Sequence, residues 1–182
     1  MQRNSHPLPW RSPAIALLLV TTLLGGLVLV APPAAAATVY VRGHIRANTI
    51  WAFPNTYVMT GNVTVEPTWT LTIQPGVAVL GQTAVRLYVE GTLMADGTPS
   101  SRISFGANGT SLRWGGIRFN TTATGSVTWS KFDLADTSID AYMSSPSVAN
   151  NIIKRTGTAF RFMNSRSVNL LNNTVDRAVL GV

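Results

Sequence analysis

The chain has 182 residues, of which 46% are hydrophobic and 12% charged, and its 14 basic residues outnumber its 7 acidic ones. This apolar content excludes a disordered chain. The absence of Cys excludes disulfide bonds and thiolate metal sites. Frequent Val, Ile, Thr, Gly and Asn residues disfavour a helical bundle.

The N-terminal segment up to Ala37 has the pattern of a secretory signal. Residues 1–13 are polar and basic, residues 14–31 are predominantly apolar, and small residues then lead to Ala37. We expect cleavage between Ala37 and Thr38. The alternative is an uncleaved transmembrane anchor helix, because the apolar run just reaches the length that spans a bilayer. In both cases we expect the rest of the chain to be secreted or displayed on the cell surface.

The exported part has the pattern of short β-strands. Apolar side chains alternate with polar ones over short runs, as on a strand with one buried face, and Gly, Pro and Asn separate the runs. We predict an all-β fold over residues 49–182, with residues 38–48 as a linker. The strand-like runs are residues 62–65, 70–73, 77–80, 86–89, 102–105, 116–119 and 126–129.

Repeated spacings indicate which all-β architecture applies. Leu71, Leu87 and Ile103 are evenly spaced, and a later triplet has a longer, nearly constant spacing. Such regular steps are typical of a solenoid, in which each coil places its inward side chains over those of the next. The later triplet is Phe132, Ile153 and Val175; it keeps in step with Ser130, Asn151 and Asn173 two positions earlier, and with Val127, Val148 and Leu170 five positions earlier.

The Asn residues of this repeat have a physical reason to recur. Asn side chains hydrogen-bond nearby backbone groups, and stacked Asn residues form ladders between successive strands. Asn also tolerates the left-handed conformation of a sharp bend. We therefore expect Asn150, Asn151, Asn172 and Asn173 to form the inner bend of two successive coils.

The strings TLTIQPG, VEGTL and ADGTP, together with WGGI at Trp114–Ile117, resemble right-handed parallel β-helix proteins. The likeness is closest to the pectin-lyase-like, Asn-rich repeat proteins of bacterial and archaeal surfaces. It covers about residues 49–182 and implies a right-handed, single-stranded parallel β-helix behind the signal or anchor helix. It implies no particular activity, because that superfamily contains lyases, hydrolases and non-catalytic members. Since the last repeat ends on the apolar run before Val182, we expect further coils beyond it.

Catalysis on such a fold requires carboxylates on one outer face. The candidates are Asp133, Asp136 and Asp140, with Asp133 directed outward and the other two near a turn. Two or three carboxylates around one sugar bond would indicate a glycoside hydrolase, but none follows at the equivalent positions one coil later. These three acids could at most bind calcium weakly. The sequence implies no metal site and no cofactor.

Binding candidates are more numerous. Lys154, Arg155 and Arg161 alternate with inward residues and could contact an acidic polysaccharide, since a guanidinium pairs well with carboxylates. Trp51 and Trp69 are the candidates for exposed platforms that pack on sugar rings. Trp129, two positions after inward Val127, is expected in the core. A nucleic acid is a poorer partner for an exported chain without a recognised binding module.

Four N-glycosylation sequons begin at Asn62, Asn108, Asn120 and Asn172.

These observations leave three hypotheses about function. The first is an exported β-helix module that is structural or binds carbohydrate or other cell-surface proteins, without catalysis of its own. The alternative is the N-terminal part of a polysaccharide lyase or glycoside hydrolase. The third is an assembly role, in which coil ends stack on a partner.

Overall fold

The computed structural model describes residues 35–109 and 112–180. This part of the chain contains sixteen β-strands and no helix, which confirms the all-β prediction. The strands are β1 Thr38–Ile45, β2 Thr49–Trp51, β3 Thr56–Val65, β4 Thr70–Ile73, β5 Ala78–Gly81, β6 Arg86–Val89, β7 Thr92–Asp96, β8 Ile103–Ala107, β9 Gly116–Phe119, β10 Thr124–Thr128, β11 Ser130–Asp133, β12 Thr137–Tyr142, β13 Ser147–Ala149, β14 Ile152–Met163, β15 Asn169–Leu171 and β16 Thr174–Leu180.

All strand pairings are parallel, and each coil of the chain contributes to three faces. The first face contains β5, β8 and β11 with the first halves of β1, β3, β14 and β16. The second face contains β6, β9 and β12 with the second halves of β1, β3 and β14. The third face is a six-stranded sheet of β2, β4, β7, β10, β13 and β15. The fold is therefore a parallel β-solenoid of about six turns, while its right-handed winding stays a prediction.

The register of the late coils agrees with the repeat in the sequence. Phe132 pairs with Ile153, and Ile153 pairs with Val175. On the third face, Val148 lies between Val127 and Leu170. Successive coils thus place one side chain directly over the next, as the nearly constant spacing of the later triplet predicts.

The prediction that the even spacing of Leu71, Leu87 and Ile103 marks a repeat of the early coils is wrong. Leu71 pairs with Leu93 and lies on the third face. Leu87 lies on the second face, where it pairs with Ile117, and Ile103 begins a strand of the first face. Their spacing therefore measures steps between different faces and does not measure one coil.

The corners between faces are also aligned from coil to coil. From Thr122 onward, the corners contain non-glycine residues with positive φ, and these residues recur once per coil. Asn favours this left-handed conformation, whereas side chains such as Leu or Arg adopt it at some cost. The aligned sets are Thr122, Met143 and Asn164; Trp129, Asn150 and Asn172; and Leu134, Arg155 and Arg177.

The predicted Asn ladder follows the second of these corners. Asn151 is fully buried, and its Oδ1 accepts a hydrogen bond from the Ser130 N–H at 2.8 Å. Its Nδ2 donates to the Val127 carbonyl at 2.8 Å and to Asn173 Oδ1 at 3.0 Å. Asn173 repeats the arrangement by donating to the Val148 carbonyl. One Asn per coil therefore satisfies backbone groups that the corner would otherwise leave unpaired.

Aliphatic and aromatic columns fill the interior. Phe105 and Phe132 stack with ring centroids 4.8 Å apart, and Trp114 lies parallel to both at 6.2 and 6.5 Å. The Trp114 indole N–H donates to the Asp133 carbonyl at 3.2 Å, so this fully buried ring leaves no unpaired donor. Stacked rings of this kind add to the free energy gained by burial alone.

At both ends of the described solenoid, the structure differs from what the sequence predicts. Residues 38–48, predicted as a linker, include β1, which pairs with β3 along most of its length. Ala37 already belongs to this coil, because its carbonyl accepts a hydrogen bond from the Thr56 N–H. In the last coil, Leu171 and Val175 are exposed.

The predicted signal or anchor segment at residues 14–31 lies outside the described residues. The part of the chain that the structure describes has no helix that is long and apolar enough to cross a membrane.

The ladder gives a stability prediction. Asn151→Ala removes the acceptor of Ser130 and the donor to Val127 and leaves both backbone groups buried without a partner. We expect a loss of about 3 kcal/mol in the free energy of unfolding, measured by denaturant titration. The control is Asn169→Ala on the exposed strand β15, which should change stability by less than about 0.5 kcal/mol. Equal losses from the two variants would contradict a structural role for the ladder.

Candidate functional site

On the second face, outward side chains of successive strands form a column that contains three charged residues. Register pairings align Thr64, Tyr88, Arg118, Asp140 and Arg161 on five successive rungs. Adjacent parallel strands lie about 4.8 Å apart, so the column extends over roughly 19 Å along the solenoid. It places an aromatic ring, two guanidinium groups and one carboxylate in a straight line.

Asp140 lies at the centre of an arginine cluster. Its side chain is only 1% exposed although it points away from the core. Arg161 Nε donates to Asp140 Oδ1 at 3.0 Å, and Arg161 Nη2 donates to Oδ2 at 2.5 Å. Arg118 Nη1 donates to the same Oδ2 at 3.3 Å. A buried carboxylate needs such compensation, because an unpaired ion in the interior is strongly destabilising.

Arg86 is the third cation of the cluster. Its Nη1 lies 3.8 Å from Asp140 Oδ2, although β9 separates the strands that carry the two residues. The same Nη1 is buried and has no hydrogen-bond partner among the described residues. Three guanidinium groups thus surround one carboxylate, and the cluster carries an excess of positive charge.

The two glycines of the WGGI motif explain how Arg86 reaches Asp140. A Cβ on Gly115 would lie 2.2 Å from Arg86 Cγ, so only a residue without a side chain leaves room for the arginine. Gly116 has a φ of +97°, and a Cβ there would lie 1.6 Å from the Thr137 carbonyl oxygen. The motif that carried part of the family resemblance therefore has a local role in shaping this site.

Electrostatics keep Arg161 charged. Its hydrogen bonds to the Asp140 carboxylate raise the pKa of Arg161 above the ordinary value, and their effect outweighs partial burial, which acts in the opposite direction. A guanidinium held in this state is suited to binding an anion. It is poorly suited to accept a proton, which a lyase would require of its base.

A shallow groove of about 450 Å³ lies beside Arg118. Arg118 Nε donates to Asn120 Oδ1 at 3.1 Å, and its guanidinium carbon lies 5.9 Å from the centre of the Tyr142 ring. Asn120 in turn donates to Glu90 at 3.3 Å. The groove therefore combines an aromatic ring, a cation and hydrogen-bond acceptors at the edge of the charged column.

The structure separates the other charged candidates from this column. Asp133 and Arg155 form an ion pair on the first face, with Arg155 Nε 2.8 Å from Asp133 Oδ1. Hydrogen bonding to Asp133 raises the pKa of Arg155. Lys154 is exposed on β14 of the same face, and Asp136 is exposed at the following corner. Of the predicted binding residues, only Arg161 belongs to the cluster.

The expectation that Asp140 lies near a turn was wrong. Asp140 is inside β12, where residues 137–142 all form one strand and all but Tyr142 are buried. The three candidate carboxylates are therefore distributed over a strand of each of two faces and the corner between them. Among the described residues, no three His, Cys, Asp or Glu side chains come together as metal ligands would.

The tryptophan predictions had mixed outcomes. Trp51, expected to be exposed, is 3% exposed and stacks on Tyr57 with centroids 4.8 Å apart. Trp69 is 36% exposed. Trp129, expected in the core, lies at a left-handed corner with a φ of 48° and packs under Arg102 at 4.9 Å. The corner interrupts the alternation of the preceding strand, so a count of two from Val127 no longer gives the inward side.

The sequon asparagines differ in their surroundings. Asn62 Oδ1 accepts the Arg86 N–H at 2.9 Å, and Asn120 is engaged by Arg118 and Glu90. Asn108 and Asn172 are exposed. Their glycosylation stays a prediction.

Comparison with known proteins adds no identification. No family model matches this sequence, and no curated protein and no solved structure is significantly similar to it. The function must therefore be argued from the geometry of the fold and its outer faces.

The arginine cluster gives a second stability prediction. Asp140→Asn leaves three guanidinium groups around a neutral amide, and we expect a loss of about 3 kcal/mol in the free energy of unfolding. The matched control is Asp133→Asn, whose side chain is 40% exposed and whose ion pair is largely screened by solvent. Denaturant titrations should show a far smaller change for the control. A reversed order would mean that Asp140 does not compensate the cluster.

Proposed function

We propose that the chain is an exported, non-catalytic β-helix module that binds acidic polysaccharide along its second face. The observation that carries this proposal is the convergence of Arg86, Arg118 and Arg161 on the single carboxylate of Asp140. The remaining positive charge faces outward on a regular column. Export, which the segment up to Ala37 suggests, would place this face in contact with extracellular polymers.

The cluster is organised in advance for anions. Asp140 fixes Arg161 through two hydrogen bonds and Arg118 through one, so neither guanidinium has to lose much freedom when a ligand binds. Arg161 is 43% exposed and Arg118 is 32% exposed. Each guanidinium has five N–H donors and uses only some of them internally. The others are available to the carboxylate or sulfate groups of a ligand.

The column also has the form that a linear polymer requires. Tyr88, Arg118 and Arg161 form an outward row that runs parallel to the solenoid axis. The groove lined by Tyr142 lies beside Arg118. An aromatic ring can pack on a sugar ring while the neighbouring guanidinium pairs with its acidic group. This arrangement supports repeated contacts with a chain of acidic sugars.

Catalysis receives less support from the geometry. A glycoside hydrolase requires two carboxyl groups across one glycosidic bond, and Asp140 is the single acid of the Thr64–Arg161 column. Both of its carboxylate oxygens already accept hydrogen bonds from Arg118 and Arg161. Although the sequence resembles pectin-lyase-like proteins, we therefore propose that the chain is a binding module and not a lyase or a hydrolase.

The test measures polymer binding at several salt concentrations. Dextran sulfate and polygalacturonate should bind by isothermal titration calorimetry, while neutral dextran should not. Affinity should fall steeply between about 0.1 M and 1 M NaCl, because the Debye length shrinks from about 10 Å to about 3 Å. Equal binding of dextran and dextran sulfate would refute the proposal, as would a lack of binding to both acidic polymers.

Variants locate the binding face. Arg118→Gln should weaken binding about tenfold, because it removes a charge-assisted hydrogen bond. Arg161→Lys keeps the charge but loses the planar fork, and it should also weaken binding. The control is Arg166→Gln, an exposed residue beyond β14, which should bind normally. Thermal melts check that each variant is folded.

A further inference from the structure

A notch interrupts the outer surface of the first face at Gly106. The register places Gly106 beside Leu80, on the outward side of β8, at a position where most neighbouring strands carry side chains. A Cβ on Gly106 would lie 3.8 Å from Leu80 Cδ2 and 3.8 Å from the Asp133 carbonyl oxygen, with nothing closer. An open space of about 390 Å³ adjoins this position.

The floor and walls of this Gly106 notch differ in chemistry. Leu80 and the backbone of Gly106 give it an apolar floor. One wall is the ion pair between Asp133 and Arg155. The other wall contains Ser104 and Lys131, which are paired on adjacent strands. The volume lies within the range of small-molecule sites, which combine an apolar lining with a few polar groups.

Lys131 determines the charge of the ligand that fits. Among the described residues no carboxylate lies within ion-pairing distance of its ammonium group. The nearest acid along the strand, Asp133, is already paired with Arg155. The notch therefore carries a net positive charge beside an apolar floor.

We propose that the Gly106 notch binds a small carboxylate with a flat apolar body, such as an aromatic carboxylate. The apolar body covers Leu80 and Gly106, and the carboxylate accepts a charge-assisted hydrogen bond from Lys131. This site lies on a different face from the arginine column, so it does not depend on polysaccharide binding.

The probe is 2-naphthoate, titrated into the full chain and followed by ligand-observed NMR. We expect saturable binding with a dissociation constant on the order of 1 mM, as for a small ligand with few contacts. The neutral analogue 2-naphthamide should bind about tenfold more weakly, because it loses the ionic bond to Lys131. Galacturonate, which has a carboxylate without an apolar body, should also bind weakly.

Two variants and two controls locate the probe. Gly106→Val places a branched side chain on the floor of the notch, has room for its Cβ and suits a strand; it should weaken saturable binding at least tenfold. Lys131→Gln should weaken binding about tenfold. Lys154→Gln removes another exposed lysine of the same face and should have no effect. Arg118→Gln should also leave naphthoate binding unchanged, which separates this site from the polysaccharide face.

Several outcomes would overturn the proposal. They are a lack of saturable naphthoate binding, equal binding of naphthamide or galacturonate, and unchanged binding by a folded Gly106→Val variant. Because Lys131→Gln changes only an exposed side chain, it remains informative if Gly106→Val fails to fold; unchanged binding by Lys131→Gln would likewise reject the site.

Discussion

The structure depends on one constraint: each coil must place its inward side chains over those of the adjacent coil. Val148 meets this constraint between Val127 and Leu170, and Ile153 meets it between Phe132 and Val175. Parallel pairing then supplies backbone hydrogen bonds on all three faces, and apolar burial supplies the main favourable free energy. The corners from Thr122 onward obey the same constraint, since left-handed residues recur in line from coil to coil.

The register that aligns the core also aligns the outer surface. Asp140 lies between Arg118 and Arg161 because its strand lies between theirs in the same sheet. Residues that are one whole coil apart in the sequence thus become direct neighbours. A buried ion cluster of this kind is weak as a source of stability, since desolvation opposes the attraction between its charges. Its place on an outward face is the basis of our proposal that it binds an anionic ligand.

Much of the fold could be predicted from the sequence, because late coils of nearly constant length make the repeat visible. The Asn151 ladder and the Phe132 column follow directly from it. The coil between Leu93 and its partner Gly125 is longer than the late coils, so the period is hidden in that part of the sequence.

The arginine cluster could not be predicted from the sequence, and the reason differs from that for the long coil. The reach of Arg86 across β9 depends on side-chain conformation and on the space beside Gly115, which spacing alone does not reveal.

Both candidate sites arise where side chains are missing. In a regular solenoid, outward residues form continuous columns, and each rung covers the space beside the next. Gly115 leaves the space through which Arg86 joins a carboxylate two strands away, and Gly106 leaves the notch between Leu80 and Asp133. Because the core side chains lie on the inner side of each strand, charged outward residues can be exchanged without altering the fold. The ligand specificity that we propose for this chain therefore depends on positions that depart from its repeat, whereas its core and its backbone pairing follow the repeat.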